Sequence, residues 1–115
     1  MTIEKINYIE LPATDIDGTK QFFANVFGWQ FVDYGPEYTA ITGAGIDGGF
    51  YKSSLRATTD TGSALVVLYS QDIESSLSRV ESAGGKIVKP IFSFPGGRRF
   101  HFSDPSGNEY AVWSE

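Results

Sequence analysis

Arg98-Arg99-Phe100-His101-Phe102-Ser103-Asp104-Pro105-Ser106-Gly107-Asn108-Glu109-Tyr110-Ala111-Val112-Trp113 is the stretch whose reading decides the fold. Apolar residues alternate on both sides of Asp104-Pro105-Ser106-Gly107, the pattern of two strands joined by a tight turn. Pro105 presets φ for the second turn position, and Gly107 takes a positive φ without steric cost. The same hairpin holds the single histidine of the chain, His101.

Working outward, the residues before the hairpin read as half of a repeat. Alternation over 3–11 predicts a strand that Pro12 ends. Asp15 is a plausible N-cap for a helix carrying Ile16, Thr19, Phe22, Phe23, Val26 and Phe27, which Gly28 stops. Strands follow at Trp29–Tyr34, Tyr38–Thr42 and Phe50-Tyr51. A polar stretch over 53–62 reads as a linker. Then come a strand at Ala64–Tyr69, an N-cap at Asp72, helical Ile73, Leu77 and Val80, and a stop at Gly84-Gly85. Strands at Lys86–Phe94, Arg99–Ser103 and Glu109–Trp113 complete the chain. Asp15 and Asp72, Ile16 and Ile73, and Gly28 and Gly85 are each 57 residues apart. Two caps and two stops at one spacing indicate duplication. The expected fold is α+β: two tandem βαβββ modules forming a curved mixed sheet around a cleft, with helices on its outer face. Residues 1–115 make one domain, with module one at 1–52, the linker at 53–62 and module two at 63–115.

Composition narrows the partners. The net charge of −5 argues against a nucleic-acid backbone as ligand, because that needs a concentrated basic face. The chain has no cysteine, which removes disulfides, thiolate metal sites and a cysteine nucleophile. No apolar run approaches the ~20 residues of a membrane helix. Met1-Thr2-Ile3-Glu4-Lys5 is not a secretory leader, so a cytoplasmic location is expected.

Several stretches together resemble the vicinal oxygen chelate superfamily of glyoxalases, bleomycin-resistance proteins and extradiol dioxygenases. They are Ile6-Asn7-Tyr8-Ile9-Glu10-Leu11-Pro12, Phe22-Phe23 with Phe27-Gly28-Trp29, Gly84-Gly85-Lys86, and Asp104-Pro105-Ser106-Gly107-Asn108. The resemblance covers almost the whole chain and speaks to fold more than to function. It implies four metal-ligand positions, which fall on Tyr8, Leu65, Ala111 and Gly49. Leu65, Ala111 and Gly49 cannot bind a divalent ion, and one tyrosine is a poor start. No cofactor and no metal are therefore expected.

The face the resemblance turns inward holds Tyr8, Glu10, Leu65, Val67, Tyr69, Arg99, His101, Ala111 and Trp113. Aromatic area with a few polar groups suits a small-molecule cleft, although such residues also fill the concavity of an ordinary core. The leading expectation is a glyoxalase/bleomycin-resistance-like protein that binds a small, partly apolar molecule without the usual metal. The resemblance also implies a homodimer. One alternative is a metal-dependent lyase, isomerase or dioxygenase with rearranged ligands, for which Glu10, His101 and Glu109 are the candidates. His101 with a glutamate partner as general acid–base is another. The third is a structural or interaction module with a filled interior. Gly43-Ala44-Gly45-Ile46-Asp47-Gly48 matches a dinucleotide fingerprint, but no helical periodicity follows to receive a pyrophosphate, so it reads as a turn. Ser103 beside His101 lacks a third group to orient the pair.

Overall fold

A computed structural model describes residues 3–115, so Met1 and Thr2, at the start of module one, lie outside the described residues. In chain order the elements are β1 (Tyr8–Ala13), α1 (Ile16–Phe27), β2 (Gln30–Asp33), β3 (Tyr38–Thr42) and β4 (Asp47–Lys52). Module two supplies β5 (Val66–Tyr69), α2 (Ile73–Ser82), β6 (Lys86–Phe94), β7 (Gly97–Ser103) and β8 (Glu109–Ser114). The doubled βαβββ order is thus present. Hydrogen bonding divides the strands into two four-stranded sheets, β1-β4-β3-β2 and β5-β8-β7-β6. In each, the first strand runs parallel to the fourth and the other pairs are antiparallel.

The predicted caps work as caps. Asp15 accepts from the Gly18 amide at 2.9 Å, and Asp72 accepts from the Ser75 amide at 3.2 Å. Each satisfies a donor that the first helical turn leaves unpaired. Gly28 ends α1 in the left-handed conformation at φ 72°.

Pro12 does not end β1, which continues to Ala13. Proline removes an N–H, and only an edge strand tolerates that loss; β1 is an edge, paired with β4 alone. The first strand also begins later than expected, at Tyr8. In β4 the strand takes in Gly48 and Gly49, which the sequence placed in a turn. A side chain at Gly48 would collide with the Ile9 carbonyl of β1.

Packing joins the modules. Ring centroids put Phe23 of α1 4.3 Å from Trp29, 5.8 Å from Phe50 of sheet one and 5.0 Å from Tyr110 of sheet two. All four are buried, as are Phe102 and Val112. One face of each sheet therefore packs on the helical layer, and the opposite face of each turns away from Phe23.

The Asp104–Asn108 turn is the second joint. Asp104 accepts from the amides of Ser106 and Asn108 at 2.8 and 3.1 Å, from the Asn108 side chain at 3.2 Å and from the Tyr110 hydroxyl at 2.6 Å. Gly107 supplies the positive φ, 88°. Asn108 then donates to the Pro12 carbonyl at 2.6 Å and accepts from the Ala57 amide at 2.9 Å. Ser106 meets Thr19 of α1 at 2.7 Å. A turn that looks local is a buried clamp between β1, α1, the linker and β8. The linker is correspondingly more than a spacer, since Ala57 and Thr59 both bond to the hairpin.

Candidate functional site

Register settles which predicted site residues share a face. Across sheet two, Val67 lies opposite Ala111, Ala111 opposite His101, and His101 opposite Lys89. The adjoining row runs Tyr69, Trp113, Arg99 and Phe92. All lie on the face turned away from the helices, because Phe100, Phe102, Tyr110 and Val112 between them are buried on the other. Leu65 precedes β5 and is half-buried. Tyr8 and Glu10 share a face of sheet one. Among the described residues no hydrogen bond, ion pair or aromatic contact joins the two open faces, so the nine residues form two groups within one chain.

The polar centre of sheet two is His101. Its Nδ1 is 2.7 Å from Glu109 Oε2, and both side chains are buried. The other Glu109 oxygen accepts from the Thr59 amide at 3.0 Å and the Thr59 hydroxyl at 2.9 Å. Burial pushes the Glu109 carboxyl up, but the hydrogen bonds from Thr59 and His101 outweigh it and hold it below the usual glutamate value. With the carboxylate at Nδ1, the proton of a neutral ring sits there and Nε2 is a bare acceptor; in the imidazolium both nitrogens donate. Nε2 is buried and has no partner in the chain. His101 and Ser103 form no hydrogen bond with each other among the described residues, so that pairing is absent.

Aromatic rings surround this centre. Tyr69 and Trp113 meet edge-on at 5.1 Å, and Phe92 lies 6.0 Å from the His101 ring. The Arg99 guanidinium sits 5.4 Å from the centre of Phe92 and 5.8 Å from that of Phe94. Phe92, Phe94 and Thr59 were not picked out by the sequence reading. Alternation places Phe92 and Phe94 together on β6, but their contact with Arg99 depends on bulges between Ile87 and Phe92 that no pattern announces.

Sheet one carries a different arrangement. Tyr38 donates to Glu10 at 2.9 Å, which leaves Tyr8 to donate to Tyr38 at 2.5 Å. Burial first, then these two bonds, push the Tyr38 phenol well above its usual range. A Cβ at Gly49 would fall on the Tyr38 hydroxyl, so this ring covers the space a larger residue there would need.

Comparison with known proteins interprets the layout. A model of the Glyoxalase/Bleomycin resistance protein/Dioxygenase superfamily matches residues 5–112. The chain belongs to that superfamily. No curated protein matches the sequence. Among solved structures, a glyoxalase-related enzyme from Fulvimarina pelagi superposes with a TM-score of 0.80 at 20% identity, covering 98% of this chain and 89% of the other. The fosfomycin resistance protein FosX from Listeria monocytogenes gives 0.81 at 17%, covering 99% and 95%. A lactoylglutathione lyase from Agrobacterium tumefaciens gives 0.75 at 16%, covering 99% and 96%. Likeness at these identities establishes the fold.

Within the superfamily frame, the metal positions can be tested by their donors. Gly49 and Ala111 offer none, Leu65 is apolar, and Tyr8 is bonded to Tyr38. Among the described residues no three His, Asp or Glu side chains come together. Glu10, His101 and Glu109 do not assemble within one chain, because Glu10 lies on sheet one and the other two on sheet two. Within one chain these residues do not make a site for a divalent metal. A cleft of about 400 Å³ opens beside β1 and β5, lined by Ile9, Leu11 and Trp29 and by Val66, Val67, Leu68 and Tyr69, so two of the predicted site residues, Val67 and Tyr69, border it. Its wall is mostly apolar, with Asp47 and Tyr69 as polar side chains.

Proposed function

We propose that this superfamily member binds a small, partly apolar molecule on the open face of its second sheet, without a metal. One observation carries the reading. His101 is oriented by Glu109 at one nitrogen, while its other nitrogen is buried with no partner, on a face walled by Tyr69, Trp113 and Phe92. Buried polar atoms in folded proteins are nearly always paired, and an exception beside exposed aromatic area marks a place for a ligand. The names of two structural relatives, a fosfomycin resistance protein and a lactoylglutathione lyase, concern small organic molecules and support that class.

The working unit we propose is a homodimer in the cytoplasm. β1 and β5 are edges with unpaired backbone, and an apolar cleft lies between them. A second copy would cover that surface. The absence of cysteine fits a reducing compartment.

A thermal-shift screen of small organic molecules against the metal-stripped protein tests this. A ligand that binds only the folded state raises the melting temperature, by the equivalent of about 2.7 kcal/mol at a hundredfold excess over Kd. The expected hit stabilises the wild type, and Trp113→Ala abolishes the effect. A stoichiometric transition metal that copurifies and is lost in His101→Ala would overturn the reading in favour of a metal-dependent enzyme. Sedimentation as a monomer would remove the dimer.

A further inference from the structure

We propose that the ligand of this face carries an oxyanion, in the first instance a carboxylate on a flat apolar body, with Arg99 as its charge partner. This rests on the small-molecule reading above and names the class of molecule.

The argument begins with two adjacent arginines. Arg98 and Arg99 point to opposite faces of β7. Arg98 forms a fork with Glu74, at 2.6 and 3.3 Å to the two oxygens, and the pair holds the Glu74 carboxyl below its usual value. Arg99 has no hydrogen-bond or ion-pair partner among the described residues. Its Nε is buried, and its guanidinium lies against the rings of Phe92 and Phe94. The charge is permanent, because guanidinium does not lose its proton in proteins.

Such a placement is costly unless something completes it. Cation–π contact offsets part of the cost, yet a partly desolvated guanidinium with an unused N–H still lacks an acceptor. A carboxylate matches the planar donor fork of arginine, and the flanking rings offer stacking area to a flat apolar body. His101 stands two residues further along the strand, about 7 Å away on the same face, with Nε2 also unpartnered. In the imidazolium form it adds a second donor.

The commitments of the charged groups around the face agree. Lys89 and Arg99 stand there with two carboxylates, of which Glu109 is committed to His101 and Thr59, and Glu115 accepts from the Tyr69 hydroxyl at 2.7 Å. The chain as a whole carries −5. With both carboxylates engaged by their neighbours, the Arg99 guanidinium is a charge on the face without a partner among the described residues, and an anion from outside matches it.

Benzoate and benzamide share size and ring and differ in charge, so they separate shape from charge. The readouts are the Arg99 Nε–H and Trp113 indole resonances in ¹⁵N spectra of the full chain. The expected result is that benzoate shifts both and binds about tenfold or more tightly than benzamide. Arg99→Gln removes that advantage, Arg99→Lys keeps part of it, and Arg98→Gln changes the affinity of neither probe. Matched spectra for the untouched core verify that each variant is folded. Equal binding of the two probes with Trp113 shifts would overturn the anion inference and leave the small-molecule reading standing. Failure of both probes to move any resonance of the open face would overturn the anion inference, and the thermal-shift screen would then decide the small-molecule reading by itself.

Discussion

The open faces of the two sheets sit on the same strand order and differ in how far their polar groups are satisfied. On sheet one, Tyr8, Tyr38 and Glu10 bond to one another, and Tyr38 covers the glycine beneath. On sheet two, Glu109 is saturated by Thr59 and His101, but His101 Nε2 and Arg99 Nε face no acceptor or donor. Those two atoms are the buried unpartnered side-chain nitrogens and oxygens among the described residues. Duplication of βαβββ thus repeats a scaffold, while the chemistry of each face is set by a few side chains that need not repeat. One face is closed by its own hydrogen bonds, and the other keeps two buried nitrogens without a partner among the described residues.

The scaffold contrast is the easiest to break. The turn between β3 and β4 runs Gly43-Ala44-Gly45-Ile46, whereas Asp104–Asn108 bonds to four other segments. Asp104→Ala leaves the Tyr110 hydroxyl, the Asn108 amide group and two backbone N–H groups without their acceptor. Buried groups left unpaired cost about 1–3 kcal/mol each before relaxation, so the expected loss is about 2–4 kcal/mol. Ile46→Thr, on the other turn, is expected to stay within about 0.5 kcal/mol. Urea denaturation of the two variants measures both; similar losses would mean that the clamp is not what joins the modules.

The two buried carboxylates of the hairpin sharpen the comparison through pH. Burial pushes Asp104 up from the usual aspartate value, against the pull of its hydrogen bonds, whereas Glu109 is held down. A lowered carboxyl stabilises the fold above its unfolded value, and the gain disappears as the pH falls through the folded value. Glu109→Gln is therefore expected to cost about 1–2 kcal/mol near neutrality, with the difference closing below pH 4.5, the ordinary glutamate value. Asp104 has the opposite sign: its contribution is fullest below 3.8 and declines as the pH rises through the raised value. Stability of wild type, Glu109→Gln and Asp104→Asn from pH 3 to 7 would show the two differences running in opposite directions. Parallel curves would refute the assignment.

Much of this was legible in the sequence, for reasons particular residues make plain. Asp15, Gly28 and Asp72 act locally, so their spacing exposes both helices and the repeat. Strand alternation paired Val67 with Tyr69, Arg99 with His101 and Ala111 with Trp113 because the period of a strand is fixed, and the family resemblance turned the three pairs to one face. What alternation cannot supply is where a face points. Tyr8 and Glu10 were grouped with His101, yet the packing of Phe23 against both sheets turns their faces away from a common interior. The linker shows the same limit. Nothing in its polar composition signals that Thr59 would saturate Glu109 across 50 residues of sequence. The partner of Tyr38 was hidden as well, since its hydroxyl reaches over Gly49 from a neighbouring strand.

Gly49 offers the finest test of the closed face. The position lies in extended backbone with no positive φ, so alanine is acceptable there as far as the main chain is concerned. What opposes it is the Tyr38 ring, whose hydroxyl and ring carbons occupy the site of the missing Cβ. That ring is the far end of a side chain on an open face, so it can swing aside at the price of its bonds to Tyr8 and Glu10. Gly49→Ala is accordingly expected to cost about 0.5–1 kcal/mol in the wild type, the net worth of a hydrogen bond or so. In a Tyr38→Ala background the cost should vanish, because nothing is left to displace. A double-mutant cycle reads this coupling directly. Additive losses would mean that the hydroxyl does not guard Gly49, and that sheet one is closed by something other than its tyrosines.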